Sequence, residues 1–548
     1  MKTRILILIA ALAVLSGCAT YNGSLSPASR KSVTSNAFLA SVPHNTPQRW
    51  NRGTPQFGST YIAREDAAIV AGTAEPFNTE RYDDDEDTPF LTVAEAPLST
   101  FSADVDTASY ANVRRMIEHE IPIPKGAVRI EEMVNYFEYD YPQPTGQDPF
   151  SVTSEVADCP WKPEHKLARI GLRGKEIALE EREPVNLVFL LDVSGSMDSP
   201  NKLPLLKKSM KLLLEKLDER DRIGIVVYAG ESGVALPSTR CSQRTRIAQA
   251  IDKLGAGGST NGAAGIEEAY EMAGRHFIQG GVNRVILATD GDFNVGTSNR
   301  SDLADLIKEK AKSGVYLSVL GYGMGNYNDA MLEELSGKGN GNYAYIDTIN
   351  EARKTLVEQL DGALITIAKD VKLQVEFNPA EVQAYRLIGY ENRRLADRDF
   401  NDDKKDAGEI GAGHRVTALY EVVPVGVKFA GPDIDPLKYQ KTGSEPEPNA
   451  AANSGELMTV KLRYKSPTGG ASQLLSHTVA NFDRDFAAAS GEFKFATSVA
   501  GFGMLLRESE DMGKVTKSKV LAWANAGRGT DKHGYRDEFV RLVKKSNT

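Results

Sequence analysis

The feature that most constrains the fold is a stretch of apolar strands alternating with amphipathic helices, from Val185 to about Ala368. Its strand-like segments are continuously apolar, which is typical of strands buried on both faces of a parallel sheet. The predicted strands are VNLVFLL, RIGIVVY, RVILAT, VYLSVLG and YAYI. A helix is predicted after the first strand from apolar residues at steps of three and four: Leu203, Leu206, Met210, Leu213 and Leu217. The expected fold class is therefore α/β, with a doubly wound, mostly parallel sheet.

The segments on either side of this α/β unit have a different pattern. FSVTSEVAD and HKLARIGLRG before it, and DVKLQVEF, HRVTALYEVVPV and LMTVKLRY after it, alternate as half-buried antiparallel strands do. Because a few strands do not make a stable layer alone, the two flanks are expected to pair and to form a β-rich domain in which the α/β unit is inserted. From Phe482 the pattern returns to helix, with Phe495, Val499, Phe502 and Leu506 on one face.

These patterns predict six segments along the chain. The region that follows the leader is rich in Ser, Pro, Asn, Thr and Gly and closes with the acidic run DDDED, Asp83 to Asp87, which indicates a flexible tether with a solvated charge block. The predicted segments are the leader (1–18), a disordered tether (19–90), an N-terminal β-rich module (91–183), the α/β domain (184–368), a C-terminal β-rich module (369–480) and C-terminal helices (481–548).

The first residues have the features of an export signal. Lys2 and Arg4 precede the apolar stretch Ile5–Val14, which is too short to span a bilayer as a stable helix. The residues LSGC that follow resemble the bacterial lipobox, and the resemblance implies that Cys18 carries a diacylglycerol and becomes the mature N-terminus. We therefore expect a membrane-anchored lipoprotein of the cell envelope, on the periplasmic side of the outer membrane. A secretory signal without lipid is the alternative.

The charge of the chain limits its partners. Loss of the two basic residues of the leader takes the formal net charge from −9 to −11, and so acidic a protein does not offer the basic face that nucleic-acid binding requires. Two further cysteines, Cys159 and Cys241, are too few for a disulfide scaffold, and the sequence leaves open whether they pair.

Three loops of the α/β unit carry oxygen side chains at or near predicted strand ends, where ligands of parallel sheets bind. DVSGS contains Asp192, Ser194 and Ser196; GGSTN contains Thr260; and ATDGD contains Asp290, directly after an apolar strand. Oxygen ligands suit a hard divalent cation, Mg²⁺ first, or Mn²⁺ or Ca²⁺. Hydroxyl ligands leave the charge of the ion uncancelled, so a cation bound there retains affinity for an anionic oxygen from outside.

The combination of D-x-S-x-S with the later Thr and Asp resembles the metal-ion-dependent adhesion site of von Willebrand factor type A domains, and it is complete in this sequence. The resemblance implies a Rossmann-like domain. It also implies that Ser194, Ser196 and Thr260 are direct metal ligands, while Asp192 and Asp290 act largely through bound water.

The flanks are similar to a narrower family. STFSADVDTASYANVRR, AVRIEEMVNYFEYDYP and NDDKKDAGEIGAGHRVTALYEV resemble the accessory regions of bacterial YfbK-type lipoproteins, in which a type A domain lies between N- and C-terminal modules. The resemblance covers the chain from about Ser99 to the end.

Three functions are compatible with these features. The first is a tethered binding protein whose metal accepts a carboxylate from an acidic side chain of a partner protein. The second is a Mg²⁺-dependent envelope hydrolase that uses the ion as a Lewis acid. The third is a structural envelope protein whose metal only stabilises the fold. Since G-x-S-x-G, H-E-x-x-H, C-x-x-C and P-loop motifs are missing from the sequence, no residue is assigned to catalysis and the binding protein is preferred.

Overall fold

The computed structural model describes nine stretches of the chain: 80–83, 86–103, 106–178, 182–229, 232–258, 262–291, 300–325, 327–429 and 449–547. All described residues belong to one compact unit, Ala74–Thr548. The predicted leader with Cys18, most of the predicted tether, and Thr260 lie outside the described residues.

The described residues form sixteen strands and twelve α-helices. The strands are β1 (Leu91–Thr92), β2 (Leu98–Ser102), β3 (Phe150–Asp158), β4 (Lys166–Gly174), β5 (Val185–Asp192), β6 (Arg222–Tyr228), β7 (Ser232–Arg240), β8 (Val282–Thr289), β9 (Tyr316–Tyr322), β10 (Tyr343–Ile346), β11 (Thr366–Phe377), β12 (Val382–Ile388), β13 (Gly408–Gly411), β14 (Arg415–Pro424), β15 (Glu456–Lys465) and β16 (Gln473–Ala480). The helices are α1 (Ala108–Glu118), α2 (Ile130–Asn135), α3 (Leu203–Lys216), α4 (Arg244–Lys253), α5 (Gly262–Arg275), α6 (Arg300–Ala311), α7 (Asp329–Lys338), α8 (Ile349–Arg353), α9 (Leu360–Leu364), α10 (Gly491–Arg507), α11 (Lys517–Ala526) and α12 (Tyr535–Lys545).

The α/β unit is built on a six-stranded sheet in the order β10-β9-β8-β5-β6-β7. Its strands are parallel except β7, which runs antiparallel to β6 at one edge. Separate apolar cores cover its two faces, one formed with α3 and α4 and the other with α5, α6 and α7. The apolar stripe predicted from Leu203 to Leu217 is buried in the first core. The predicted doubly wound, mostly parallel sheet is confirmed, although β7 was not predicted.

The two flanks share their sheets. One sheet has the order β1-β12-β14-β4-β3, in which β4 from before the α/β unit pairs antiparallel with β14 from after it. The other has the order β13-β11-β15-β16, and β2 pairs with β11. Apolar side chains from both sheets meet in one core, as in a β-sandwich. The insertion of the α/β unit in a β-rich domain is therefore confirmed.

The C-terminal helices pack on the outer side of the β4–β14 sheet. They share an apolar core with α1 and α2, so the N-terminal flank contributes helices as well as strands. The predicted apolar face of α10 is buried there, since Phe495, Val499, Phe502 and Leu506 are 0–8% exposed. No helix among the described residues is long and apolar enough to cross a membrane.

One guanidinium joins three parts of the chain. Arg114, on α1, forms ion pairs with Asp347 at 2.5 Å and with Glu351 at 2.7 Å, both of which belong to the α/β unit. It also pairs with Glu538 of α12 at 2.9 Å. Burial acts to raise the pKa of Glu351, but the charges of Arg114 and Lys354 outweigh it and hold that pKa below its ordinary value. The α/β unit is thus held by both flanks through buried charge.

The predicted tether extends too far toward the C-terminus. Both carboxylate oxygens of Glu80 accept hydrogen bonds from Arg115 of α1, at 2.8 and 2.9 Å, and the side chain of Glu80 is only 3% exposed. Asp87, in the acidic run expected to be solvated, pairs with Arg507 at 2.8 Å. The sequence pattern did not indicate these contacts, because Arg115 and Arg507 lie far along the chain from their acidic partners.

The remaining cysteines do not pair. Cys159 and Cys241 are free thiols, and both are fully buried. Burial raises the pKa of the Cys159 thiol well above its usual value and that of Cys241 to about 12. Both are therefore inert, apolar-like core residues.

Candidate metal site

Asp192 is the last residue of β5 and is held in place by three neighbours. One carboxylate oxygen accepts a hydrogen bond from the backbone N–H of Ser194 at 2.9 Å. The other accepts from the hydroxyls of Tyr228 on β6, at 3.3 Å, and Thr289 on β8, at 3.2 Å. The side chain is fully buried. Groups from the two neighbouring strands and from the loop after β5 therefore fix its orientation at the carboxyl edge of the sheet.

The two serines of the same loop converge. The hydroxyl oxygens of Ser194 and Ser196 are 2.9 Å apart. Ser194 occupies the cap position of the short turn Gly195–Asp198, but its side chain makes no capping hydrogen bond. Capping of this turn therefore does not account for the Ser194 hydroxyl, which is hydrogen-bonded to that of Ser196 instead.

The predicted second loop lies against the first. The backbone N–H of Gly257 donates to the carbonyl of Val193 at 2.7 Å, and that of Gly195 donates to the carbonyl of Gly258 at 3.2 Å. Thr260, two residues further on, is outside the described residues, so its part in the site stays a prediction.

Asp290 follows β8 directly and is fully buried. The next residue, Gly291, has φ of +88°, and a Cβ there would come within 2.6 Å of the backbone nitrogen of Asn328. Only glycine is therefore accommodated at this turn, which directs the chain away from the sheet directly after the carboxylate. The strands β5 and β8 are neighbours with Leu191 opposite Ala288, so Asp192 and Asp290 leave the sheet side by side.

A lysine that the sequence analysis missed completes the described part of the site. The ammonium of Lys202 lies 2.8 Å from a carboxylate oxygen of Asp290, and its side chain is only 9% exposed. Lys202 immediately precedes α3, where a cation is unfavourable because the helix dipole is positive at that end. The unfavourable position of Lys202 in the sequence indicates that an anion lies nearby in the fold.

The donor set fits a small divalent ion. Octahedral Mg²⁺ holds oxygens at about 2.0–2.1 Å, so neighbouring ligand oxygens lie about 3 Å apart. The separation of the Ser194 and Ser196 hydroxyls matches that spacing. Burial raises the pKa of Asp192, and the negative charge of Asp290 raises it further, so a cation at this edge would relieve the repulsion. The described residues contain no group of three or more His, Cys, Asp or Glu able to hold a metal. The candidate site differs from such clusters because it combines two carboxylates with hydroxyls.

Four of the five predicted site residues therefore meet at one edge of the sheet: Asp192, Ser194, Ser196 and Asp290. The sequence identified them because each follows an apolar strand that ends at the same edge. It missed Lys202 because a contact between residues 88 positions apart leaves no local pattern.

Family models match consecutive parts of the chain. Residues 76–169 match the model described as von Willebrand factor, and residues 186–359 match von Willebrand factor type A domain. Residues 362–548 match the model described as uncharacterized protein YfbK, C-terminal. The middle match contains all five predicted site residues.

Individual proteins are similar over different lengths. The chain is 44% identical over 492 residues to uncharacterized protein YfbK of Escherichia coli, covering 88% of this chain and 83% of that protein. It is 27% identical over 263 residues to inter-alpha-trypsin inhibitor heavy chain H3 of Homo sapiens, covering 44% of this chain and 28% of that protein. A solved structure, von Willebrand factor type A from Catenulispora acidiphila, aligns with a TM-score of 0.40 at 17% identity, covering 74% of this chain and 92% of that one.

Proposed function

This chain belongs to the family of the Escherichia coli protein YfbK and contains a von Willebrand factor type A domain, and on that premise we propose that it is a membrane-anchored envelope lipoprotein that binds a partner protein through a divalent ion. The ion is Mg²⁺, or Mn²⁺ or Ca²⁺ in its place. The partner contributes the carboxylate of an acidic side chain. The observation that carries the proposal is the convergence of Asp192, Ser194, Ser196 and Asp290 at one edge of the sheet.

Each residue has a distinct part in the proposal. The hydroxyls of Ser194 and Ser196, with that of Thr260, hold the ion directly. The carboxylates of Asp192 and Asp290 orient water around it, and the hydrogen bonds from Tyr228 and Thr289 keep Asp192 from turning away. A divalent ion bound there supplies a positive charge with one coordination position left for an outside oxygen.

Membrane attachment is the second half of the proposal and rests on the sequence LSGC. Cys18 carries a diacylglycerol, whose two chains anchor firmly where one acyl chain anchors only marginally. The protein is then held on the periplasmic side of the outer membrane, with its metal edge free to meet a partner.

Calorimetric titration with Mg²⁺ and Mn²⁺ tests the metal. Ser196→Ala deletes a direct ligand and Asp290→Ala deletes a group that orients one, so each should weaken binding by about 10- to 100-fold. Ser199→Ala is the matched control, because this exposed serine lies three residues beyond Ser196. Equal affinities for the metal ion in the wild type and all three variants would refute the metal site.

Affinity capture from an envelope extract tests the partner. The wild-type chain should retain a partner that both EDTA and Asp192→Ala release, since either change removes the ion on which the contact depends. A complex that survives EDTA would contradict the proposal.

A further inference from the structure

Lys202 is built into the candidate metal site. Its backbone is fixed, because its N–H donates to the carbonyl of Ser199 at 2.9 Å and its carbonyl accepts from Leu206 of α3 at 2.9 Å. From there the side chain runs inward to Asp290, and only 9% of it is exposed. Burying a lysine costs free energy unless its charge is paired, so this pairing with Asp290 is what holds the ammonium there.

The fold leaves a path for this side chain. Gly323 follows β9 with φ of +82°, and a Cβ on it would collide with the Cε of Lys202. The missing side chain at Gly323 is therefore what allows the lysine to reach Asp290. Two independent features, a helix that starts with an unfavourable cation and a glycine beside its stem, point to a specific contact.

We propose that the Lys202 ammonium and a divalent ion compete for the Asp290 carboxylate, the ammonium by direct contact and the ion through bound water, so that the ion displaces Lys202 when it loads. This inference rests on the proposed function, since it assumes that a divalent ion binds at this edge. Asp290 carries one negative charge, and the ammonium of Lys202 already compensates it. An added divalent ion repels the ammonium at close range, and the two do not share Asp290.

With Asp192 and Asp290 both ionised, the described part of the site carries a net charge of −1 while the ammonium is in place and of 0 when the ion replaces it. Without the ion, Lys202 neutralises Asp290, and the repulsion that Asp192 feels from Asp290 is reduced. With the ion bound, the ammonium leaves. Lys202 therefore lowers the apparent metal affinity and sets the ion concentration at which the site becomes able to accept a partner's carboxylate.

Calorimetry with MnCl₂ on the full chain tests the competition. Lys202→Met removes the charge and keeps the apolar stem, and Lys202→Gln also keeps an N–H donor for Asp290. Both should bind Mn²⁺ more tightly than the wild type, by about 10- to 100-fold, the range over which groups bonded to a ligand alter metal affinity. Lys208→Met is the control, because Lys208 is exposed on α3 and its loss changes the net charge equally. Circular dichroism verifies that each variant is folded.

The outcomes separate this inference from the metal site itself. Tighter binding in both Lys202 variants, with Lys208→Met unchanged, supports the competition. Equal or weaker binding in the Lys202 variants, with a wild type that still binds Mn²⁺, overturns the competition and leaves the metal site standing. No binding by the wild type or any variant overturns both, and that failure belongs to the proposed function.

Discussion

Replacing Arg114 by Met removes the cation that joins the α/β unit to both flanks while keeping most of the apolar volume. The substitution leaves Asp347 and Glu351 without their main counter-charge at 7% and 2% side-chain exposure. The side chain of Glu538 is 26% exposed, so water can hydrate it when the arginine is gone, and it contributes less to the loss of stability. Removing one partner from a buried ion pair costs about 3–5 kcal/mol. We expect a loss in that range, a large fraction of the roughly 5–15 kcal/mol that stabilises a typical domain.

Urea unfolding of the full chain, followed by circular dichroism, measures this loss. Arg275→Met is the matched control, because Arg275 pairs with Glu271 on an exposed helix face, where such pairs contribute about 0–1 kcal/mol. Adding Glu351→Gln to Arg114→Met should restore part of the stability, since it neutralises one of the stranded carboxylates. A loss below about 1 kcal/mol for Arg114→Met, equal to that of the control, would refute the reasoning.

Three further predictions concern pH, folding and lipidation. Burial raises the pKa of Glu131 to about 7, so the folded chain holds that proton more tightly than the unfolded chain. Stability should therefore fall as the pH rises from 4.5 to 7. Glu131→Gln should reduce this dependence in urea titrations at each pH, while the neighbouring Glu132, whose pKa burial also raises to about 7, keeps the rest, and the exposed Glu271→Gln should change nothing. An excised Pro184–Ala368 fragment should fold alone by circular dichroism and limited proteolysis, because its own residues form nearly all of its two apolar cores, whereas Ser99–Glu183 should not. An independently folded N-terminal fragment would contradict this. Cys18→Ser should leave the chain unprocessed or unanchored, and mass spectrometry that finds an unmodified mature N-terminus in the wild type would exclude lipidation.

The parts of the fold that were predictable depend on local pattern. The run from Val185 to Asp192 is apolar at almost every position because β5 is covered on both faces, and such a run is readable without its partners. The same run led to the metal site, since a carboxylate directly after a buried strand marks the edge of the sheet.

The parts that were missed depend on partners far along the chain. The short turn of α2 and the exposed strand β16 have no clear period, and the contacts of Glu80 and Asp87 depend on arginines that only the folded chain brings near. Lys202 was missed for the same reason. Its unfavourable position before a helix indicates a nearby anion, but only the folded chain shows that this anion is Asp290.

The pairing of β4 with β14 has a consequence for how the chain reaches its native state. His165, which immediately precedes β4, and Glu421 of β14 are in contact although they are 256 positions apart. At about 5–20 residues per second of synthesis, roughly 10–50 s separate the appearance of the two strands. The β3–β4 hairpin has an open edge during that time, and open edges invite pairing with other chains. The α/β unit can close its own core meanwhile, so we expect it to form first and the sandwich around it last.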